Sequence, residues 1–288
     1  MLLCVINAPK AKMLNIIILA VIQGLTEFLP ISSSGHLVLL HNVLDEDITS
    51  TYSKIIDISV HIGTLAAVIL YFRHDVVRLL NGCLNLAKLN TKTNDAQLTL
   101  KLAIASIPVV IAGYILFQFN PTFFDSLFIM AWMTLVFGLV LYISDKRSQD
   151  TVKIDNFTFK QSFIYGLAQC AALIPGVSRS GITMTAGRFM GHSRVEAARF
   201  SLLMGMIAIS GAGILASHSV IDSTTVEQSV FHILAVGMLV SFITAYIAIL
   251  VMMRWISRAS FTPFVIYRII LGCALLALLY SGTIPQDI

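Results

Sequence analysis

Charge is what this chain has least of: Asp, Glu, Lys and Arg make up 12% of its 288 residues, against about 25% in a soluble globular protein. That deficit excludes a domain solvated on all sides. Cysteines are few and scattered, at Cys4, Cys83, Cys170 and Cys273, with no Cys-x-x-Cys pair among them. Neither a zinc site nor a disulfide framework is expected from that pattern, and they read as small apolar fillers. No cleavable signal peptide is expected either. The segment Met1–Lys12 is short and ends in Lys10 and Lys12 instead of running from charge to a cleavage site, so residues 1–12 read as an extension ahead of Met13. The formal charge of +4 is small, and in a membrane chain basic residues mostly set orientation; no nucleic-acid partner is expected.

What the chain has instead is apolar sequence, 57% of it, with a mean hydropathy of +0.86. Six runs are long enough to cross a bilayer as helices: Ile55–Phe72, Leu102–Phe119, Leu127–Ser144, Phe200–Ala216, Val230–Met253 and Pro263–Tyr280. Two further apolar segments are broken. Asn15–Leu29 is interrupted by Pro30 and Ser32–Gly35 before Leu37–Leu40, and Gln161–Phe189 is interrupted at Pro175–Thr183, read P-G-V-S-R-S-G-I-T. The fold class is an all-α polytopic membrane protein surrounded by lipid bilayer.

Loop charge decides how the broken segments cross. Of 19 Lys and Arg, 15 fall in the stretches 73–101, 145–160, 188–199 and 254–268, all expected on the cytoplasmic side. The stretch 73–101 reads as a basic, polar loop, and Arg188, Arg194 and Arg199 as interfacial anchors. A spanning Gln161–Phe189 would put two basic stretches on opposite faces; a re-entrant helix hairpin restores agreement. Its tip must then be buried in protein or line a wet cavity. Setting Ser32-Ser33-Ser34-Gly35 on Ser178-Arg179-Ser180-Gly181, an offset of 146, also sets Gln23 on Gln169 without a gap. The expected organisation is a first repeat over 13–144, a cytoplasmic linker over 145–160 and a second, inverted repeat over 161–288. Each repeat holds one hairpin and three spans, and the tips meet near the midplane, as in transporters with broken helices.

The tips hold the chemistry. Arg179 at membrane depth costs about 2.5–3.5 kcal/mol on insertion scales, so it reads as functional. A half-helix starting at Ser180 or Gly181 offers free N–H groups and a positive dipole end to an anion. Arg179 adds a bidentate fork for phosphate, and Ser178, Ser180 and Thr183 add hydroxyls. Helix packing is the competing reading for the glycines. In the first hairpin, Gln23 and Glu27 share a helix face and offer hard oxygens to magnesium or calcium. A plain Glu27–Arg179 ion pair is the alternative. His36 suits a general acid, base or nucleophile, beside Ser32, Ser33 and Ser34. Asp57 and His61, at i and i+4, stand as supports behind the site or as a helix contact.

These residues resemble the undecaprenyl-diphosphate phosphatase family of the bacitracin-resistance type. The resemblance rests on Gln23-Gly-Leu-Thr-Glu27-Phe-Leu-Pro30-Ile-Ser-Ser-Ser-Gly-His36 and on Pro175-Gly-Val-Ser-Arg-Ser-Gly-Ile-Thr183. It extends through Asp57-x-x-x-His61-x-Gly-Thr64 and Pro263-Phe-x-x-Tyr267-Arg268, covering about Met13 to Tyr280. The family's first motif has Glu or Gln ahead of a second Glu; here Gln23 and Glu27 hold those places. The resemblance implies hydrolysis of undecaprenyl diphosphate to undecaprenyl phosphate and inorganic phosphate, which recycles the lipid carrier for cell-wall polymers and confers bacitracin resistance. It also implies a divalent cation, a multi-pass protein of the bacterial cytoplasmic membrane with its site opening outward, and a homodimer. Ser178, Ser180, Gly181, Thr183 and Arg179 are expected to hold the diphosphate, with Ser32 and Ser34, and Glu27 to position metal or proton. Ser33 or His36 attacks phosphorus, or His36 serves water or the leaving group. A transporter or flippase of an anionic lipid is the competing class, since midplane hairpins also build transport sites.

Overall fold

A chain that lies in hydrocarbon must satisfy its own N–H and C=O groups, and helices do this within one segment. The computed structural model describes residues 2–43, 51–119, 126–148, 154–221 and 228–282, with the side chains of 2–12, 34, 41–43, 51–54, 155, 215–221, 228–231 and 233 outside the description. Among these residues there is no strand. The order is α1 (Leu2–Thr26), α2 (Ser33–Val43), α3 (Thr51–Tyr71), α4 (Arg73–Ala87), α5 (Asn94–Phe119) and α6 (Leu127–Arg147). It continues with α7 (Phe159–Cys170), α8 (Arg179–Phe189), α9 (Arg194–Ile221), α10 (Gln228–Ile256) and α11 (Thr262–Tyr280). The acidic patch Asp45–Asp47, the turn at 120–125, Lys153 and the loop with Asp222 and Glu227 lie outside the described residues.

Five described helices, α5, α6, α9, α10 and α11, are long and apolar enough to cross a membrane. A sixth is reached when α3 and α4, which meet at an 87° bend, are counted together as one broken span. The molecule is therefore an integral, polytopic all-α membrane protein. The broken segments are not among the spans: α1 packs on α2, and α7 packs on α8. Arm α1 lies against α10 and arm α7 against α5, while α8 is gripped between α6 and α9. The largest apolar core, including Phe28, Val68, Leu102, Tyr165, Met184, Phe200 and Ile249, binds both broken segments to α3, α5, α9 and α10.

Three expectations from the loop charges change. The basic stretch 73–101 is not a loop: residues 73–87 form α4, whose buried side holds Asp75 and Gly82 and whose outer side exposes Val77, Leu80 and Leu84. Mixed charge hides an amphipathic helix from a search for apolar runs. Arg188, Arg194 and Arg199 are not simply interfacial anchors. Arg188 is fully buried and, with Arg194, meets Asp145 Oδ1 at 3.0 and 2.7 Å, while Arg199 pairs with Asp75. Arg268 belongs to no loop at all; it is fully buried inside α11.

His192, beside the Asp145 cluster, is fully buried, stacked 3.6 Å from the Phe157 ring, with Nδ1 2.9 Å from the Tyr165 hydroxyl. Burial depresses its pKa from 6.5 to about 4. The folded state thus prefers the neutral ring, and the stability this contributes is present above pH 6.5 and lost as pH falls toward 4. Melting in detergent should fall across that window, with a shallower fall in His192→Gln. A second test concerns the α8 hairpin. Gly176 has φ +87°, and a Cβ there would stand 2.2 Å from the Met130 carbonyl oxygen. Gly176→Ala should lower stability by about 1–3 kcal/mol from backbone strain alone, and further from the clash, as read by thermal melting.

Candidate active site

Both tips are built by the same backbone device. After α1 the chain turns through Pro30, and Ser32 takes φ 73° before α2 begins at Ser33. After α7 it passes a short 3-10 turn and Pro175, and Ser178 takes φ 69° before α8 begins at Arg179. Ser32 and Ser178 are the positions related by the offset of 146. A non-glycine residue held at such a φ costs about 1–3 kcal/mol and persists only where its surroundings enforce it. At Ser178 the enforcement is visible: its hydroxyl accepts the Gly181 N–H at 3.2 Å, capping α8 one residue earlier than the sequence suggested.

The tips meet through one carboxylate. Glu27 is buried, and its Oε1 accepts from Arg179 Nη2 at 2.7 Å. Its Oε2 accepts from Ser33 Oγ at 2.7 Å and from Gln23 Nε2 at 2.8 Å. His61 Nε2 stands 4.0 Å from the same oxygen, and its Nδ1 donates to the Asp57 carbonyl at 2.6 Å. Arg179 spends a second donor on the Gly205 carbonyl at 2.8 Å. A Cβ at Gly205 would lie 3.1 Å from the guanidinium carbon, so a larger residue there would push on the Arg179 side chain. Two of the five Arg179 donors are thus engaged, and the other three have no partner among the described residues. They suit a phosphate group, as does the N-terminus of α8.

The remaining expected site residues divide. Ser180 Oγ donates to the Leu29 carbonyl at 2.8 Å, so it joins the hairpins directly. Ser178 Oγ also lies 3.3 Å from Ser180 Oγ. Ser32 is buried, and its carbonyl accepts from His36 Nδ1 at 2.7 Å. Gly181 sits at the start of α8 against Arg268, whose Nη1 would be 2.8 Å from an added Cβ. Ser34 lies in α2, its side chain outside the described residues. Thr183 is one turn deeper and fully buried; its hydroxyl lies 2.6 Å from Ser201 Oγ and donates to the Arg179 carbonyl at 2.8 Å, which turns it toward α9.

Sequence reasoning passed over Arg268. Its guanidinium donates to the carbonyls of Thr134 at 3.0 Å, Gly176 at 2.9 Å, and Pro30 and Met133 at 3.4 Å. Pro30 and Gly176 belong to opposite tips, so one side chain collects carbonyls that both broken helices leave without helical partners. The signal was the one that singled out Arg179: an arginine within an apolar run. Tyr267, next to it, places its hydroxyl 2.5 Å from His36 Nε2.

A divalent cation finds a partial fit. Among the described residues no three His, Cys, Asp or Glu side chains converge on one point. Gln23 Oε1, however, is buried without a hydrogen-bond partner beside Glu27. One carboxylate and one orphaned amide oxygen fit magnesium or calcium that keeps phosphate oxygens among its ligands, since such ions are often held by few protein groups.

Thr183 gives a test of the division of labour. Thr183→Val leaves the buried Ser201 hydroxyl with only the Ser180 carbonyl at 3.4 Å, a loss of about 0.5–1.5 kcal/mol. Melting should drop while KM for a phosphorylated lipid stays within about twofold; a large rise in KM would place the hydroxyl on substrate.

Comparison with known proteins bears on the same residues. The model of the family described as bacitracin resistance protein BacA matches residues 16–274. An undecaprenyl-diphosphatase of Jannaschia sp. (strain CCS1) is 43% identical over 277 residues, covering 94% of this chain and 100% of the relative. Undecaprenyl-diphosphatase 1 of Rhodospirillum rubrum is 40% identical over 275 residues, 94% of this chain and 96% of the relative. An undecaprenyl-diphosphatase of Alcanivorax borkumensis is 40% identical over 263 residues, 90% and 96% of the two chains. The matched region contains both hairpin tips and Arg268, and the chain belongs to the bacitracin resistance protein BacA family.

Proposed function

We infer that this protein is a phosphatase that hydrolyses undecaprenyl diphosphate to undecaprenyl phosphate and inorganic phosphate. It thereby recycles the lipid carrier for peptidoglycan and other wall polymers and confers bacitracin resistance. Family membership and the names of the relatives support this reading. The observation that carries the mechanism is the Glu27 carboxylate shared between Ser33 Oγ and Arg179, each at 2.7 Å.

A serine hydroxyl within hydrogen-bond reach of a carboxylate has the geometry of a nucleophile with its base. In the proposed first step Ser33 Oγ attacks the terminal phosphorus as its proton passes to Glu27. The bond to the bridging oxygen breaks, and undecaprenyl phosphate leaves as an anion. That leaving group needs charge stabilisation more than a proton, and Arg179 with the start of α8 supplies it. Water then cleaves the phosphoseryl bond, its proton passing to His36 Nε2 in exchange for the Tyr267 hydroxyl bond, and Glu27 returns its proton to Ser33 Oγ. His36 is less suited to the first attack, because Nδ1 is committed to Ser32 and Nε2 faces Tyr267. Gln23 Oε1 and Glu27 would hold a magnesium or calcium ion, which supplies neutralisation of phosphate charge.

The wider assignment follows the family resemblance. On that reading the protein lies in the bacterial cytoplasmic membrane with its site opening outward, as a homodimer, and the loop charges add that the basic connections face inside. Its halves are the repeats over 13–144 and 161–288 joined by 145–160, a division supported by the matched backbone of Ser32 and Ser178.

The test uses purified protein in detergent with a polyprenyl diphosphate, where an enzyme needs no second compartment. Ser33→Ala and Arg179→Lys should each reduce phosphate release by about 100-fold or more, with folding checked by melting. Near-normal release in Ser33→Ala would remove it as nucleophile. No release by the unaltered protein, with lipid movement only in vesicles, would favour a transporter. Full turnover in excess chelator would remove the metal.

A further inference from the structure

We propose that Tyr267 is a positioning residue for the reaction: its phenol O–H holds His36 Nε2 and thereby fixes the tautomer and direction of the His36 ring. The inference rests on the reading above in which His36 serves the hydrolysis. A carbonyl oxygen only accepts, so the 2.7 Å contact between His36 Nδ1 and the Ser32 carbonyl puts a proton on Nδ1. In the neutral ring Nε2 is then the acceptor, and the atom facing it is the Tyr267 hydroxyl at 2.5 Å. Both ring nitrogens are thus assigned, one by backbone and one by a side chain from the far end of the chain.

Two further observations set this contact apart from chance proximity. The rings are nearly parallel, with an interplanar angle of 11° and centroids 5.6 Å apart, so stacking and the hydrogen bond act on the same ring. Tyr267 also has no freedom to drift, because the next residue, Arg268, is fully buried and bonded to the carbonyls of Pro30 and Gly176 at the two tips. The backbone that carries the phenol is therefore referenced to the hairpin that carries His36. Tyr267 is 41% exposed, so the residue is not enclosed in the core as filler. A group that orients a functional imidazole in this way typically affects activity by about 10–100-fold when removed.

The test is a double-mutant cycle in detergent, with a polyprenyl diphosphate as substrate, using Tyr267→Phe, His36→Ala and both together. Tyr267→Phe keeps the stack and removes the hydroxyl. It should lower kcat by about tenfold or more while KM stays within about twofold and melting is unchanged. In the His36→Ala background the same change should have no further effect, because the two residues act as one unit. The proposal is overturned if Tyr267→Phe turns over at the wild-type rate, or if it lowers kcat by the same factor in both backgrounds. Wild-type turnover in His36→Ala alone would overturn the role of His36, and this proposal with it. An inactive His36→Ala beside a fully active Tyr267→Phe would sink only the proposal.

Discussion

The structure depends on a charge that cannot stand alone. Arg179 sits at the tip of one broken helix and Glu27 at the tip of the other, and among the described residues neither has another oppositely charged partner of comparable closeness. Removing one member of a buried pair costs about 3–5 kcal/mol, because the other is left uncompensated. Each hairpin is therefore incomplete without its counterpart, and the spans are arranged so that the two meet. The Ser180 bond to the Leu29 carbonyl and the Arg268 bonds to Pro30 and Gly176 repeat that dependence with neutral partners.

The cost of this arrangement is carried in the backbone. Broken helices leave carbonyls and N–H groups unpaired, which hydrocarbon does not tolerate. Here the carbonyls are taken up by arginine and serine side chains, and the chain reverses through serines at positive φ. Because the donors are already oriented, little reorganisation is left for the moment of reaction, the condition under which fixed dipoles and charges lower a barrier most.

Much of this was legible in the sequence, and what was not has a physical reason. The five straight spans follow from apolar runs, and the hairpins from a proline and a Ser-x-Ser-Gly motif inside such runs. The pairing of Gln23 with Glu27 follows from their spacing, whereas the contact of His61 with Glu27 was only one of the readings its spacing from Asp57 left open. Helix α4 escaped because its apolar positions Val77, Leu80 and Leu84 are interleaved with charge. Arg268 escaped because counting loop charges treats every arginine as a surface mark, whereas its partners are carbonyls that no sequence pattern displays. Thr183 was legible as a hydroxyl at the right depth, but not in its direction, since that is set by Ser201 on a different helix. Sequence shows which groups a segment brings; which neighbour they meet is decided by packing.

The carbonyl cage around Arg268 bears on how the reaction ends. Glu27 offsets the charge of Arg179, but among the described residues no carboxylate offsets Arg268, whose hydrogen-bond partners are all neutral carbonyls. Its guanidinium lies against Gly181 at the start of α8, so a positive field persists at the tips in every protonation state of Glu27. Attraction to that field scales with the charge a ligand brings. A lipid diphosphate is held by more of it than the lipid monophosphate left after hydrolysis. The same fixed cation that favours entry thus weakens its hold as the chemistry proceeds, and product departure is built into the electrostatics without any moving part.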